Sequence, residues 1–118
     1  MATILLVEDD EILRLAAAQH LEQAGFTVIA ASRSNDALDE LDLGRPVDLA
    51  VIDVCMPRGQ VNGFALARMA RWRRPGLPVV FVTGYREVLE AEVIHEPVFL
   101  KPVDLVQLTD KIKERLAA

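Results

Sequence analysis

Four short runs of aliphatic and β-branched residues constrain the fold of this chain more than any other feature of its sequence. They are Thr3–Val7, Asp48–Ile52, Pro78–Val82 and Val98–Leu100. Apolar runs of this length are typical of strands that are buried on both faces, as in a parallel sheet. Helical patterns separate them, so the sequence predicts an α/β domain with a parallel sheet.

The segments between these runs contain the signals for the remaining elements. Phe26–Ala30 is predicted to be a further strand, and Ser34 or Asn35 is predicted to cap the helix that follows it. A third helix is predicted from about Gly63 to Arg73. The first and last helices show apolar residues at helical spacing. These are Ile12, Leu13, Ala16, Ala17, His20 and Leu21 in the first helix, and Leu105, Leu108, Ile112 and Leu116 in the last. The element order is (βα)₅, with right-handed crossovers.

Length, composition and charge exclude several classes of protein. The 118 residues are 52% hydrophobic and 26% charged, which predicts one globular domain over residues 1–118, without an output domain in this chain. A net charge of −5 argues against direct binding to nucleic acid or to anionic membranes. The single cysteine, Cys55, and the absence of a signal peptide or an apolar run long enough to span a membrane favour the cytoplasm.

Polar residues follow the apolar runs, and in a parallel sheet they are expected to meet at its carboxyl edge. Glu8 and Asp9 follow the first run, Asp53 the third strand, Thr83 the fourth and Lys101 the fifth. Three neighbouring carboxylates repel one another unless a cation neutralises them. The all-oxygen set Glu8, Asp9 and Asp53 suits Mg²⁺, which binds one or two carboxylates together with a phosphoryl oxygen.

Asp53 is the best candidate for a reacting group, because it stands alone at the end of the central strand. A carboxylate can attack phosphorus and form an aspartyl phosphate. In such a reaction Lys101 is expected to stabilise charge on the phosphoryl oxygens, and Thr83 to donate a hydrogen bond to one of them. Asp10 falls at the start of the first helix and is expected to cap it.

The whole chain resembles the receiver domain of two-component response regulators. Five segments carry the resemblance, in the order in which that family has them. They are Ile4–Asp10, Asp48–Pro57, Asn62-Gly63, Val82–Gly84 and Lys101-Pro102. The resemblance implies a flavodoxin-like (βα)₅ fold with strand order 2-1-3-4-5 and helices on both faces of the sheet.

The resemblance also implies a role for each matching residue. Asp53 corresponds to the phosphoacceptor, Thr83 to the switch hydroxyl and Lys101 to the phosphate-binding lysine. Glu8, Asp9 and Asp53 correspond to Mg²⁺ ligands, together with the backbone carbonyl of Cys55. A cis peptide bond between the lysine and Pro102 is expected.

Three departures from the family pattern concern the surroundings of the site. The aromatic switch residue usually lies three positions before the lysine, where this chain has Val98, and Phe99 is predicted to point to the other side of the strand. The segment 83–101 is shorter than usual, so helix four is expected to be short, re-angled or partly irregular. The segment 57–63 is longer than usual and is expected to form a flap beside the site.

These observations predict a phosphorelay switch that receives its phosphoryl group from a sensor histidine kinase or a histidine phosphotransfer protein and acts on an unknown protein target. It is not expected to be a turnover enzyme. The alternative is a receiver-like docking module that works without phosphorylation. A phosphatase of the haloacid dehalogenase type would need an acid where this chain has Cys55. A flavin-binding protein would need a glycine- and hydroxyl-rich loop where this chain has Glu8-Asp9-Asp10.

Overall fold

In the residues that the computed structural model describes, 1–90 and 94–118, five parallel strands alternate with five helices. The strands are β1 (Thr3–Val7), β2 (Thr27–Ala31), β3 (Leu49–Asp53), β4 (Val79–Thr83) and β5 (Val98–Leu100). The helices are α1 (Glu11–Gln23), α2 (Ser34–Asp42), α3 (Gly63–Arg73), α4 (Arg86–Leu89) and α5 (Leu105–Ala117). The strands lie in the order β2-β1-β3-β4-β5, which confirms the predicted flavodoxin-like (βα)₅ fold.

The three central strands form the buried centre of the sheet. All residues of β1, β3 and β4 are buried, as the uninterrupted apolar runs predict. Alternate residues of β1 point to opposite faces of the sheet, so Leu5 and Val7 join one apolar cluster while Ile4 and Leu6 join the other. The first cluster includes residues of α2 and α3, and the second includes residues of α1 and α5.

Helix α1 is capped as the sequence predicts. The Asp10 carboxylate accepts hydrogen bonds from the backbone N–H groups of Ile12 and Leu13. The predicted apolar stripe is wrong at Ile12, whose side chain is 82% exposed, and at Ala16, which is also exposed. The buried side of α1 carries Ala17 and Leu21, which are four residues apart. The same spacing gives residue 13 as the next position on this side, and Ile12 lies one residue before it, or about 100° around the helix.

Helix α2 begins one or two residues earlier than predicted, because its cap residue is Arg33, not Ser34 or Asn35, and Ser34 is its first helical residue. Ser34 is fully buried and binds the segment 57–63 in two ways. Its hydroxyl donates to the carbonyl of Val61 (2.7 Å), and its N–H donates to the side-chain oxygen of Gln60 (2.8 Å). The flap predicted at 57–63 is therefore tied to α2 at these two residues.

The region of α4 and β5 is small, as the shortened segment predicts. Helix α4 contains four residues, of which all but Val88 are exposed, and β5 contains three half-buried residues. The acidic stretch that the sequence places at 87–96 includes residues 91–93, which lie outside the described residues. Val98 packs with the α3 side of the core and Phe99 with the α5 side, which confirms that they point to opposite faces.

Helix α5 is the last element of the fold and packs against α1. Asp104 caps it by accepting a hydrogen bond from the N–H of Gln107, and Leu108 and Ile112 are buried as predicted. No helix in the described part of the chain combines the length and the apolar character that a membrane crossing needs.

Candidate functional site

The parallel sheet brings the predicted site residues together at its carboxyl edge. Glu8 directly follows β1, Asp53 and Thr83 are the last residues of β3 and β4, and Lys101 directly follows β5. Residue 53 pairs with Val82 of β4, so the backbone of Asp53 is still part of the sheet. The Lys101 N–H donates to the carbonyl of Thr83 (2.7 Å), which extends the β4–β5 ladder to the lysine.

Lys101 brings a positively charged side chain to this site. Its Nζ lies 2.9 Å from Oδ2 of Asp53 and 3.2 Å from the carboxylate of Glu8. The peptide bond between Lys101 and Pro102 is cis, as the family resemblance implies. The lysine therefore bridges two carboxylates that come from different strands.

Glu8, Asp9 and Asp53 form an acidic cluster, in which one carboxylate oxygen of each lies within 4.8 Å of the others. Glu8 and Asp53 are 3% and 2% exposed, whereas Asp9 is exposed. Buried carboxylates at this spacing need more positive charge than one ammonium group supplies. Their oxygen-only donor set and the access from solvent on the Asp9 side fit a hard divalent cation such as Mg²⁺.

The acidity of the site residues reflects this crowding. Burial raises the pKa of Glu8 from 4.5 to about 7, aided by a hydrogen bond with Asp53 and by the negative charge of Asp53. The Asp10 N–H and the Lys101 charge act in the opposite direction but do not compensate. Burial alone would lower the pKa of Lys101, but the hydrogen bond and charge of Asp53, with the Glu8 carboxylate, outweigh it and raise that pKa.

Both carboxylate oxygens of Asp53 have a hydrogen-bond donor. Oδ2 accepts from Lys101, and Oδ1 accepts from the backbone N–H of Cys55 (3.1 Å). The carboxylate is thereby fixed in one orientation. The thiol of Cys55 has a raised pKa, caused by partial burial and by the charge of Asp53, so it is held in the neutral form.

Thr83 is fully buried at the end of β4, beside the acidic cluster. Its Oγ1 accepts a hydrogen bond from the N–H of Tyr85 (3.1 Å), the cap residue of α4. A hydroxyl that accepts one hydrogen bond still has its own hydrogen to donate. Thr83 therefore connects the site to the start of α4 through a single contact.

Two residues around the site were not predicted from the sequence to support it. Arg14 of α1 donates to the backbone carbonyl of Glu8 (3.0 Å) and, at 3.4 Å, to that of Asp9. Gly63 belongs to a recognised motif, but its packing against the backbone of Asp53 and Val54 was not anticipated. An arginine on a helix carries no sequence signal for such a contact, whereas a glycine at the first position of a helix suggests close backbone approach.

Comparison with known proteins gives concordant results. The family model of the response regulator receiver domain matches residues 4–113. Sensor kinase CckA of Brucella abortus is 38% identical over 98% of this chain, which spans 12% of that protein. The response regulator receiver protein CpdR of the same organism is 33% identical, and the alignment covers 100% of this chain and 99% of CpdR.

A solved structure gives the same result. The response regulator receiver protein from Sinorhizobium medicae superposes with a TM-score of 0.88 at 32% identity, covering 99% of this chain and 95% of that one. The site geometry and the sequence matches agree, and the chain belongs to the response regulator receiver domain family of two-component signal transduction.

Proposed function

We propose that residues 1–118 form a phosphoacceptor domain in which Asp53 takes a phosphoryl group from a phosphohistidine. The donor is a sensor histidine kinase or a histidine phosphotransfer protein. The observation that carries this proposal is the fixed carboxylate of Asp53, which the Cys55 N–H and the Lys101 ammonium hold at the open edge of the sheet.

The transfer uses groups that are present in this chain. A carboxylate oxygen of Asp53 forms a bond to phosphorus while the bond from phosphorus to the histidine nitrogen breaks, and the released imidazole keeps the bonding electrons and takes up a proton. Lys101 donates to a phosphoryl oxygen and balances its charge, and the Thr83 hydroxyl donates to another. The domain promotes its own phosphorylation and dephosphorylation and is not a turnover enzyme.

The acidic cluster supports Mg²⁺ as the cofactor. Glu8, Asp9 and Asp53, together with the backbone carbonyl of Cys55, would hold it. The bound ion would supply neutralising charge between the carboxylates and the incoming phosphoryl oxygens. The raised pKa of Glu8 supports this assignment, because burial and then the neighbouring Asp53 disfavour its ionised form, and a bound cation would offset both effects.

Phosphorylation adds about −1.5 to −2 charges at Asp53. New hydrogen bonds from Thr83 and Lys101 to a charged group contribute about 1.5–3 kcal/mol each, and a complete shift of a two-state equilibrium needs about 5.5 kcal/mol. Movement of Thr83 toward the phosphoryl group would act on Tyr85 and α4, because Tyr85 donates to the Thr83 hydroxyl. The output is a changed surface for a protein target, without direct contact to nucleic acid or membrane.

A docking module that works without phosphorylation is the second candidate. Val98 in place of the aromatic switch residue and the four-residue α4 favour it, because both belong to the part of the domain that would transmit the change.

Intact mass after incubation with Mg²⁺ and acetyl phosphate or phosphoramidate separates the two candidates. We expect the wild type to gain one phosphoryl group and Asp53→Asn to gain none. Asp110→Asn, which changes an exposed acid of α5 in the same way, is the matched control and is expected to behave as the wild type. A wild type that gains no mass with either donor would favour the docking module.

A further inference from the structure

Arg14 binds the backbone of the two residues that carry the first acids of the site. Its guanidinium donates to the Glu8 carbonyl at 3.0 Å and approaches the Asp9 carbonyl at 3.4 Å. Arg14 lies in the first turns of α1 and is half-buried. It therefore connects the loop between β1 and α1 to the body of the helix.

This connection matters most for Asp9. Glu8 and Asp53 are buried, and the side-chain contacts described above fix their carboxylates. Asp9 is exposed, and within residues 1–90 and 94–118 its carboxylate has no hydrogen-bond partner. The position of the Asp9 side chain therefore depends on the orientation of its backbone.

The backbone at Glu8 and Asp9 is held from two sides. The N–H of Glu8 donates to the carbonyl of Ala31 at the end of β2 (3.0 Å), which fixes the strand side. Arg14 holds the carbonyl side from the helix. Without Arg14, the peptide that joins Glu8 and Asp9 loses the contact that opposes its rotation.

We propose that Arg14 is a positioning residue for the cation site, which it supports by holding the Glu8 and Asp9 carbonyls so that the Asp9 carboxylate faces Glu8 and Asp53. This inference rests on the proposed function, since it assumes that the acidic cluster binds a divalent cation. Partners that orient metal ligands in this way typically contribute about 10–100-fold to metal affinity.

The direction in which cation affinity changes when Arg14 is replaced distinguishes a positioning role from a purely electrostatic one. Arg14 is a positive charge close to a site for a cation, so the removal of its charge alone would strengthen cation binding. Loss of positioning has the opposite effect and weakens binding. The two explanations therefore predict changes of opposite direction for the same substitution.

Titration with Mn²⁺, with the free ion followed by electron paramagnetic resonance, measures this affinity directly, and Mg²⁺ competition extends the result to Mg²⁺. We expect Arg14→Ala to raise the dissociation constant on the order of tenfold. Arg14→Lys keeps the charge but has a single ammonium group. Its dissociation constant is therefore expected to lie between those of Arg14→Ala and the wild type. Arg68→Ala, which removes an exposed arginine from α3, is the matched control and should leave the constant unchanged.

Phosphorylation by acetyl phosphate gives a second readout. Arg14→Ala should need more Mg²⁺ to reach half its maximal rate, while the rate at saturating Mg²⁺ stays within about twofold of the wild type, because Arg14 touches no reacting atom. Urea unfolding without divalent cations checks that each variant is folded. If Arg14→Ala does not fold, Arg14→Lys carries the test.

Unchanged or tighter Mn²⁺ binding by the folded Arg14 variants, in a wild type that binds Mn²⁺ and accepts a phosphoryl group, would overturn this inference and leave the proposed function intact. A wild type that binds neither Mn²⁺ nor Mg²⁺ would overturn the cation site itself and this inference with it.

Discussion

Two carboxylates of this domain lie beside a basic side chain, yet their acidities shift in opposite directions. Glu8 is 3.2 Å from Lys101 at the carboxyl edge of the sheet, and its pKa is raised to about 7. Glu96 is 2.6 Å from Arg71, just before β5. Burial alone would raise the pKa of Glu96, but hydrogen bonds from Arg71 and from backbone N–H groups outweigh it and lower that pKa.

The difference lies first in burial, since the side chain of Glu8 is 3% exposed and that of Glu96 is 20% exposed, and then in what else each basic side chain contacts. Lys101 is shared between Glu8 and Asp53, so the two acids compete for one positive charge. Arg71 binds Glu96 and the neutral carbonyl of Leu77, so among the described residues its charge is not divided between acids. The Arg71–Glu96 pair near β5 therefore stabilises the fold, whereas the acids that share Lys101 repel each other and destabilise it.

Replacement of Glu8 tests the larger of these two effects. With divalent cations chelated, the folded protein binds more protons at Glu8 than the unfolded chain does between pH 4.5 and about 7, so Glu8 lowers the free energy of unfolding as the pH rises through this window. We expect Glu8→Gln to remove this pH-dependent loss of stability. Its free energy of unfolding at pH 8 should then exceed that of the wild type by on the order of 3 kcal/mol.

Urea unfolding between pH 4 and pH 8 measures this difference. Glu22→Gln, which replaces an exposed acid of α1, should show the same pH profile as the wild type. A Glu8→Gln profile parallel to that of the wild type would mean that Glu8 titrates normally in the folded protein.

Gly63→Ala tests whether the geometry of the site depends on close packing behind Asp53. A Cβ atom at residue 63 would lie 2.7 Å from the Cα of Val54 and even closer to the carbonyl oxygen of Asp53. We expect the end of β3 to shift, with a loss of about 2 kcal/mol in unfolding free energy and slower phosphorylation by acetyl phosphate.

Gly84→Ala is the matched control, because a Cβ atom there meets nothing within 4 Å. It should keep both the stability and the phosphorylation rate of the wild type. Equal behaviour of the two alanine variants would contradict the proposed role of Gly63.

Glu96→Gln tests the smaller effect, near β5. A lowered pKa means that Glu96 contributes stability above its unfolded pKa, and that this contribution disappears as the pH falls through the folded pKa. We expect Glu96→Gln to lose about 1 kcal/mol of unfolding free energy at pH 7, because the pair is partly exposed, and to approach the wild type as the pH falls below the folded pKa of Glu96.

Glu114→Gln provides a comparison, because Glu114 pairs with Lys111 at 3.2 Å but is 69% exposed. Its loss at pH 7 should stay below about 0.5 kcal/mol. If Glu96→Gln were equally mild, Arg71 and Glu96 would form an ordinary surface pair.

The sequence was sufficient to predict the sheet and the position of the site. Apolar runs identify β1, β3 and β4 because these strands are buried on both faces, and the carboxyl-edge rule then brings Asp53 and Lys101 together. Local hydrogen bonding explains why the Asp10 cap was also predictable. The cis bond before Pro102 was predicted from the family resemblance.

Contacts between distant residues could not be predicted in this way. The carboxyl-edge rule brings Lys101 and Glu8 to the same edge but does not predict that Lys101 contacts both acids, and no such rule relates Arg71 and Glu96, which are 25 positions apart. The exposure of Ile12 was missed because two apolar residues in succession leave open which one faces the core. Arg14 was missed because its partners are backbone carbonyls, which every residue has.

Asp53 is the last paired residue of β3, and its N-terminal neighbours are the most completely enclosed part of the protein. The strand therefore has little free space in which to adjust to a chemical change at Asp53. The exposed side of the site, where Tyr85 and the four-residue α4 lie, has more room for such a change. If Asp53 accepts a phosphoryl group as proposed, the signal is expected to leave the site on its exposed side, through the contact between Thr83 and Tyr85 at the start of α4.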